Sequence, residues 1–242
     1  MRRRNTLAPT ADMSSRPELK LDWCDAKAAR YAVEKWHYSG SLPPGTHNRV
    51  GVWEDERFIG VVLFSRGANK HIGKQFGVSQ FECCELTRIA LANHVTPVSR
   101  IVRVAILFLR QQSAGIRLVV SFADPNHGHH GGIYQAGNWV YAGESPRVKQ
   151  YVDKRGKTWH NRMVTKKGFT ICFGKKVKTV DQKECDIVHC VGKHRYLMPL
   201  DDAMRKQIEP LRKPYPKRVR SVASDTSAIH AEEGGATPTR TL

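Results

Sequence analysis

The sequence predicts an α/β protein with a mixed β-sheet flanked by helices. Short apolar runs with β-branched residues, which suit buried strands, alternate with segments whose apolar residues recur at helical spacing. The stretch 118–143, LVVSFADPNHGHHGGIYQAGNWVYAG, reads as strand, turn, short helix, turn and strand. Its first strand ends in an acidic residue at a loop, and open α/β sheets bind ligands at that edge. We therefore expect the functional site there.

The N-terminal part of the chain predicts a strand and then a helix. Leu19–Trp23 has the composition of a strand, and Asp25 is a suitable N-cap for a helix with one apolar face. His37 and Tyr38 end that helix, and the segment SGSLPPGT must leave it as a loop. His37 either complements the helix dipole or is carried by this loop into an active cleft.

A hairpin and a basic loop follow. Residues 49–53 and 58–64 predict two strands joined by a charged turn. The next segment, SRGANKHIGKQFG, is rich in glycine and cations. It is either a solvated surface loop or one that follows a phosphate backbone, with Phe76 available to stack on a base. Residues 81–91 then resume as a strand that contains Arg88, which holds a phosphate, orders Asp124 or forms a structural salt bridge to Glu85 or another acid.

The segment after this strand predicts the clearest helix of the chain. Thr96 suits the N-cap and Pro97 the first helical position, and the following apolar residues form one stripe. The free amide groups at such a helix end bind phosphate well, and Ser99 and Arg100 add a hydroxyl and a cation there.

Two side chains of the central stretch are candidates for chemistry. Asp124 follows a strand directly, and Tyr134 lies on the short helix that ends at Gly137. Asp124 before Pro125 is alternatively a turn residue, and Tyr134 a core filler with its hydroxyl at the surface. Spacing alone leaves both alternatives open.

The C-terminal half predicts further strands and then little regular structure. Strands are expected at 148–153, 158–164 and 169–173, and a short helix at 201–209. We therefore divide the chain into a flexible N-terminal segment, a catalytic domain, a C-terminal extension and a basic disordered tail, at residues 1–18, 19–175, 176–211 and 212–242.

The composition indicates a polyanionic partner. Lys and Arg number 40 against 22 Asp and Glu, giving a formal charge of +18 and a pI near 9.9. Phosphate contacts release condensed counterions, so nucleic acid fits this charge best, and we see no long basic amphipathic helix for a membrane surface. The first 17 residues lack the apolar run of a signal peptide, which predicts a cytoplasmic protein. The oligomeric state stays open.

Cysteine and histidine spacing offers two metal alternatives. The six cysteines include no CxxC pair, so most are expected to be free thiols in a reducing cytosol. Cys185, His189, Cys190 and His194 contain zinc-ligand types at close intervals, but they match no common template. A second possible metal cluster consists of His127, His129 and His130.

Five motifs together resemble the phage Mom family of DNA-modification proteins. They are KWHYSGSLPPGT, FSRGANKHIGKQFG, CELTRIAL, TPVSRIVRVAI and SFADPNHGHHGGIYQAGNWVYAG, and they occur in the family's order over about residues 20–165. The run IYQAGNWVYAG also resembles a signature of the GNAT acyltransferase fold, in which Tyr134 would face the sulfur of a departing coenzyme A thiol. The segment NHVTPVSR departs from the GNAT pattern, because it lacks the glycine-rich motif that holds the coenzyme A diphosphate.

The resemblance implies an enzyme that converts adenine in double-stranded DNA to N6-carbamoylmethyladenine, a modification that blocks host restriction enzymes. The target base would be flipped out of the duplex. The resemblance also implies acetyl-CoA or a related acyl donor, and iron held by His37, Tyr38 and Asp124. The functional positions it carries over are His37, Tyr38, Arg88, Ser99, Asp124 and Tyr134. Asp124 or His37 would accept the amine proton, and Tyr134 would donate to the leaving group.

Two other functions remain open at this point. The first is an ordinary N-acetyltransferase for a protein or small amine, and the second is a noncatalytic DNA-binding protein. Acyl transfer from a thioester gives an amide, whereas the family's product is a carbon-linked carboxamide. A GNAT-like fold alone therefore does not explain the expected product.

Overall fold

The computed structural model of the chain describes residues 16–43, 45–67, 71–159, 163–172 and 174–217. Within these ranges the chain forms fourteen strands and four α-helices. In chain order they are β1 (Leu19–Trp23), α1 (Ala26–Trp36), β2 (His47–Glu54), β3 (Arg57–Ser65), β4 (Cys83–Leu91), α2 (Val98–Gln112), β5 (Leu118–Ala123), α3 (Gly132–Ala136), β6 (Val140–Glu144), β7 (Val148–Asp153), β8 (Thr158–Trp159), β9 (Val164–Thr165), β10 (Phe169–Cys172), β11 (Lys175–Lys178), β12 (Val180–Asp181), β13 (Cys185–Cys190), β14 (His194–Pro199) and α4 (Asp202–Ile208).

Seven of these strands form one mixed sheet in the order β1-β2-β3-β4-β5-β14-β6. Strands β4 and β5 are parallel, and the other neighbours in this sheet are antiparallel. Alternate residues of β3 face opposite sides: Val61 and Leu63 pack against α1, whereas Val62 and Phe64 pack in the core that includes α2. The prediction of an α/β fold with a mixed sheet flanked by helices is confirmed.

The helix starts follow from their capping groups. Asp25 caps α1 as predicted, since its carboxylate accepts the Ala28 N–H at 2.6 Å. Helix α2 begins one residue later than predicted, with Pro97 at the N-cap. Thr96 therefore lies in the loop before the helix, where its backbone N–H donates to the Glu54 carboxylate at 2.7 Å.

The sequence did not predict β11, β12, β13 or β14, and of these β14 belongs to the main sheet. Strand β14 lies between β5 and β6, and its Tyr196 and Leu197 are fully buried. Residues 176–211, predicted as an extension, therefore contribute a central strand of the sheet, and α4 falls within the helix predicted at 201–209. The sequence HRYLMP gave no signal because its apolar run is short and follows two basic residues.

Both termini were predicted to be disordered. Residues 1–15 and 218–242 lie outside the described residues. The described start of the predicted tail packs on the sheet edge: the Lys213 N–H donates to the Tyr141 carbonyl at 2.8 Å, and the Tyr215 hydroxyl donates to the Trp139 carbonyl at 2.7 Å.

Between β6 and β14 the chain makes a separate set of small strands, which we call the β-insertion (residues 145–192). It contains the sheet β13-β7-β8, the hairpin β10-β11 and the parallel pair β9-β12. Strand β7 has the predicted bounds. Of the strand predicted at 158–164, the first two residues form β8 and the last begins β9, while residues 160–162 lie outside the described part of the chain.

The basic loop before β4 differs from its prediction. Phe76 is 5% exposed and packs in the core beneath α4, so it is not available to stack on a base. Its carbonyl accepts a 2.7 Å hydrogen bond from Gln207 of α4, which ties the loop to that helix. Residues 68–70 of the loop lie outside the described part of the chain. No helix among the described residues is long and apolar enough to cross a membrane.

Candidate active site

A cavity opens where β4 and β5 separate. The two strands pair from Cys83 with Leu118 to Leu86 with Ser121, and β4 then continues to Leu91 with only β3 beside it. The cavity has a volume of about 490 Å³ and lies between the diverging strand ends, the end of α1 and the start of α3. Small-molecule sites commonly have volumes of about 300–1,000 Å³.

Five of the predicted site residues line this cavity: His37, Tyr38, Arg88, Asp124 and Tyr134. They come from the end of α1, from β4, from the loop after β5 and from α3. Their convergence depends on the parallel β4–β5 pair, which brings the carboxyl ends of both strands to the same edge.

Tyr134 is the most enclosed of the five. Its hydroxyl lies 2.8 Å from Ser121 Oγ, which in turn lies 2.9 Å from the Leu86 carbonyl. Ser121 has one proton, so when it donates to the carbonyl it accepts from Tyr134. Burial raises the pKa of Tyr134 to about 12, so the phenol stays protonated at neutral pH.

Asp124 is a buried carboxylate with several partners. Its Oδ1 accepts from the Asn126 backbone N–H at 3.0 Å and from the Asn126 side chain at 2.9 Å, and its Oδ2 lies 3.0 Å from Lys193 Nζ. Burial alone would raise the pKa of Asp124, but the bonds from Lys193 and Asn126 outweigh burial and lower the pKa. Asp124 is therefore an anion at neutral pH.

His37 is neutral, and its Nδ1 contacts Ser39. Burial, with nearby Arg88, lowers the pKa of His37 to about 4. The Ser39 backbone N–H, which can only donate, lies 3.1 Å from His37 Nδ1. Ser39 Oγ also lies 2.8 Å from Nδ1. When Nδ1 accepts from these groups, Nε2 carries the proton and His37 offers the site a hydrogen-bond donor. The role of His37 as acceptor of the amine proton remains a prediction.

Tyr38 is 55% exposed and stands in a stack of rings. Its ring centroid lies 4.3 Å from His37, 4.5 Å from His127 and 5.2 Å from His129. These planar groups give the site an aromatic wall.

Arg88 has an incomplete set of partners. Its guanidinium donates to the Thr87 carbonyl at 2.8 Å, and its buried Nε has no hydrogen-bond partner among the described residues. An unpaired buried donor costs about 1–3 kcal/mol, so a bound acceptor beside Arg88 would recover that cost.

Ser99 and Arg100 do not join this cavity. They line a separate groove of about 590 Å³ together with Arg103, Arg110 and Arg205, and we call it the arginine groove. Its other wall includes residues 136–139 at the end of α3. The loop before α2 already receives the buried carboxylate of Glu54, which accepts the Val95 and Thr96 N–H groups at 2.9 and 2.7 Å.

The model of the Mom protein family matches residues 18–217 of this sequence. The chain belongs to the Mom family. The methylcarbamoylase Mom of Escherichia phage Mu is 25% identical over 207 residues, which are 83% of this chain and 84% of that protein. Family membership supports a transferase with a role in phage DNA modification.

Similar solved structures include two acyltransferases. A putative acetyltransferase of Acinetobacter baylyi ADP1 has a TM-score of 0.42 at 10% identity, over 84% of this chain and 100% of that chain. An N-acyl amino acid synthase from uncultured soil microbes has a TM-score of 0.43 at 11% identity, over 81% and 96%.

Iron at the expected site of this Mom-family chain is unsupported by the described residues. A metal-ligating histidine normally donates its second ring N–H, and Ser39 Oγ lies 2.8 Å from His37 Nδ1, where it can accept such a bond. One Asp124 oxygen is paired with Lys193. No group of three or more His, Cys, Asp or Glu among the described residues is arranged to hold a metal, so iron is unsupported.

Both alternative metal clusters are also unsupported in the described part of the chain. Cys185 and Cys190 lie at opposite ends of β13, and an extended strand separates such positions by about 17 Å. His127 and His129 instead pack on Tyr38.

Sequence reasoning missed two polar residues of the site. Lys193 pairs with Asp124 from the start of β14, a strand that was not predicted. Ser121 contacts Tyr134 from within β5 and carried no signal except a hydroxyl in an otherwise apolar strand.

Proposed function

We propose that this Mom-family protein modifies adenine in double-stranded DNA at its exocyclic amine, giving N6-carbamoylmethyladenine and so protecting the DNA from restriction endonucleases. The observation that carries the proposal is the convergence of His37, Tyr38, Arg88, Asp124 and Tyr134 on one cavity. The methylcarbamoylase of phage Mu is a relative of matching length.

The acceptor in this proposal is an adenine flipped out of the duplex, because the amine is unreachable inside the stack. The aromatic wall around Tyr38 offers the base a stacking surface at the mouth of the cavity. The His37 Nε2–H supplies a donor for a ring nitrogen, and Asp124 supplies an acceptor for the amine.

The reaction requires two proton transfers. The N6 nitrogen forms a bond to the methylene carbon of a donor X–CH2–CONH2 while the bond from that carbon to the leaving group X breaks. The bonded nitrogen is then strongly acidic, so a carboxylate with a low pKa, Asp124, is sufficient to take its proton. Tyr134, which stays protonated, gives its proton to the leaving group, and Ser121 can turn its own proton toward the phenolate.

The donor for this product must carry a carbamoylmethyl group, CH2–CONH2, on a leaving group, because transfer of the acetyl group of acetyl-CoA to N6 would give an N6-acetyl amide. We propose a coenzyme A compound or another phosphate-bearing donor of this kind. The arginine groove supplies cations for its phosphates, and the groove shares α3 with the cavity: Tyr134 faces the cavity, whereas residues 136–139 line the groove. A donor that bridges the two would place its reactive end beside Tyr134.

Mass spectrometry of nucleosides from plasmid DNA tests the proposal. Cells expressing the intact chain are expected to contain modified deoxyadenosine, and cells expressing Asp124→Asn with Tyr134→Phe are expected to contain none. Tyr31→Phe, on the exposed face of α1, is the matched control and keeps the modification.

Unmodified DNA in cells with soluble, folded protein would contradict the proposal. Tight acetyl-CoA binding by the purified protein without DNA would then favour the N-acetyltransferase. DNA binding that survives in the double variant, with no modification by the intact protein, would favour the binding protein.

A further inference from the structure

The β-insertion holds a large share of the molecule's charge. Its 48 residues contain twelve Lys and Arg against four Asp and Glu, a formal charge of +8 out of +18 for the whole chain. A fifth of the sequence therefore carries close to half of the net charge.

These cations are exposed and unneutralised. Every described Lys and Arg side chain of the β-insertion is exposed, and none forms an ion pair with a described acid. On the main sheet, by contrast, Arg117 pairs with Asp201 at 2.8 Å. Strand β11 has the sequence KKVK, and Lys175, Lys176 and Lys178 are all exposed on its hairpin. Unpaired like charges repel one another, so they are best compensated by a polyanion.

The base of the β-insertion touches the candidate active site. The Ser145 N–H donates to the Lys193 carbonyl at 2.8 Å, and the Lys193 N–H donates to Ser145 Oγ at 2.9 Å, which closes the neck where the chain leaves and rejoins the sheet. The side chain of the same Lys193 pairs with Asp124 in the cavity wall. The neck of the β-insertion is therefore joined directly to the cavity wall.

We propose that the β-insertion is the surface that grips the DNA backbone and presents a target base to the cavity. The occupant is duplex DNA, recognised through its phosphates by exposed lysines without reading of base sequence. This inference rests on the proposed function, since it names the surface through which the same site receives its substrate.

Fluorescence anisotropy with a short labelled duplex of mixed sequence, over a series of salt concentrations, tests the proposal. The variant Lys175→Gln, Lys176→Gln, Lys178→Gln removes three charges from the β-insertion. The control Lys20→Gln, Lys27→Gln, Arg30→Gln removes three exposed charges from β1 and α1. The first is expected to bind at least about tenfold more weakly with a salt slope smaller by about 3, and the control to stay within about twofold.

Equal loss in both variants would overturn the proposal, because net charge and not this surface would then set the affinity. A second variant, Lys149→Gln, Lys154→Gln, Lys157→Gln on β7 and the turn to β8, repeats the test if the first fails to fold. Nucleoside analysis on the same preparations distinguishes failure of the proposed DNA-binding surface from failure of the proposed adenine modification. Selective loss of binding with no modification by the intact protein would contradict only the proposed chemistry, and modified DNA with equal losses would contradict only the surface.

Discussion

The hydroxyl pair of Ser121 and Tyr134 controls where the phenol proton lies. Ser121→Ala removes the group that can turn its proton toward the phenolate, but it leaves Tyr134 in place. We expect the modification rate to fall about tenfold, and at least about a hundredfold for Tyr134→Phe, which removes the proton itself. Time courses of DNA modification with purified protein measure both. A rate for Ser121→Ala equal to that of the intact protein would show that the pair is only structural.

Lys193 and Asn126 together lower the pKa of Asp124, and Lys193 is the cation of the two. In Lys193→Met the effect of burial on Asp124 is no longer offset by a cation, so the pKa of Asp124 rises. The acidic limb of the rate–pH profile is expected to move to higher pH, while Lys193→Arg, which keeps the cation, leaves it in place. An unchanged acidic limb in Lys193→Met would mean that the rate does not depend on ionised Asp124.

The neutral state of His37 predicts a pH dependence of stability. Its pKa is about 4 in the folded protein against an ordinary value of 6.5, so the unfolded chain binds the proton more readily between these values. Neutral His37 therefore costs the folded protein no stability above pH 6.5, and the free energy of unfolding falls progressively as the pH is lowered toward 4. Urea unfolding should therefore show a larger loss of stability between pH 7 and pH 5 in the intact protein than in His37→Gln.

At the scale of elements, the turn from β5 into α3 depends on one crowded glycine. Gly131 has φ +82°, and a Cβ there would overlap the Tyr196 ring of β14. Gly128 has φ +72° with open space around it, so it is a matched control for backbone strain alone. We expect Gly128→Ala to cost about 1 kcal/mol of unfolding free energy and Gly131→Ala to cost about 1–3 kcal/mol more. If urea unfolding gave the same loss of unfolding free energy for both variants, the Tyr196 ring would have shifted to make room for the added Cβ at no cost.

Local signals predicted the elements whose causes are local. Asp25 as a cap, the apolar stripe of α2 and the strand–turn–helix run around Asp124 and Tyr134 all involve neighbouring residues. Strand β14 is stabilised by pairing on both sides with β5 and β6, which a short apolar run does not reveal.

The residues of the candidate site also fall into those that local motifs predict and those that depend on contacts between distant parts of the chain. Five of its residues were identified through motifs, but the Asp124–Lys193 pair requires knowledge of how distant strands meet. The contacts of His37 Nδ1 with Ser39 likewise could not be predicted, because they depend on the backbone path after α1.

For the whole molecule, the position of β14 makes the sheet dependent on the C-terminal region. A chain ending at residue 192 lacks β14, α4 and the described part of the tail, and leaves β5 and β6 without a common neighbour. We expect it to lose cooperative unfolding, while a chain ending at residue 217 keeps every described contact and unfolds as the full chain does. Circular dichroism with urea compares them, and a cooperative transition in the shorter chain would contradict this prediction.

The late position of β14 in the chain also affects protein synthesis. A ribosome makes β5 and β6 well before it reaches the strand that joins them, and Lys193 is made just before that strand. An abandoned translation product that stops within the β-insertion therefore has neither the central strand nor the cation that holds Asp124. We therefore expect an incomplete chain of this kind to lack the activity of the finished molecule.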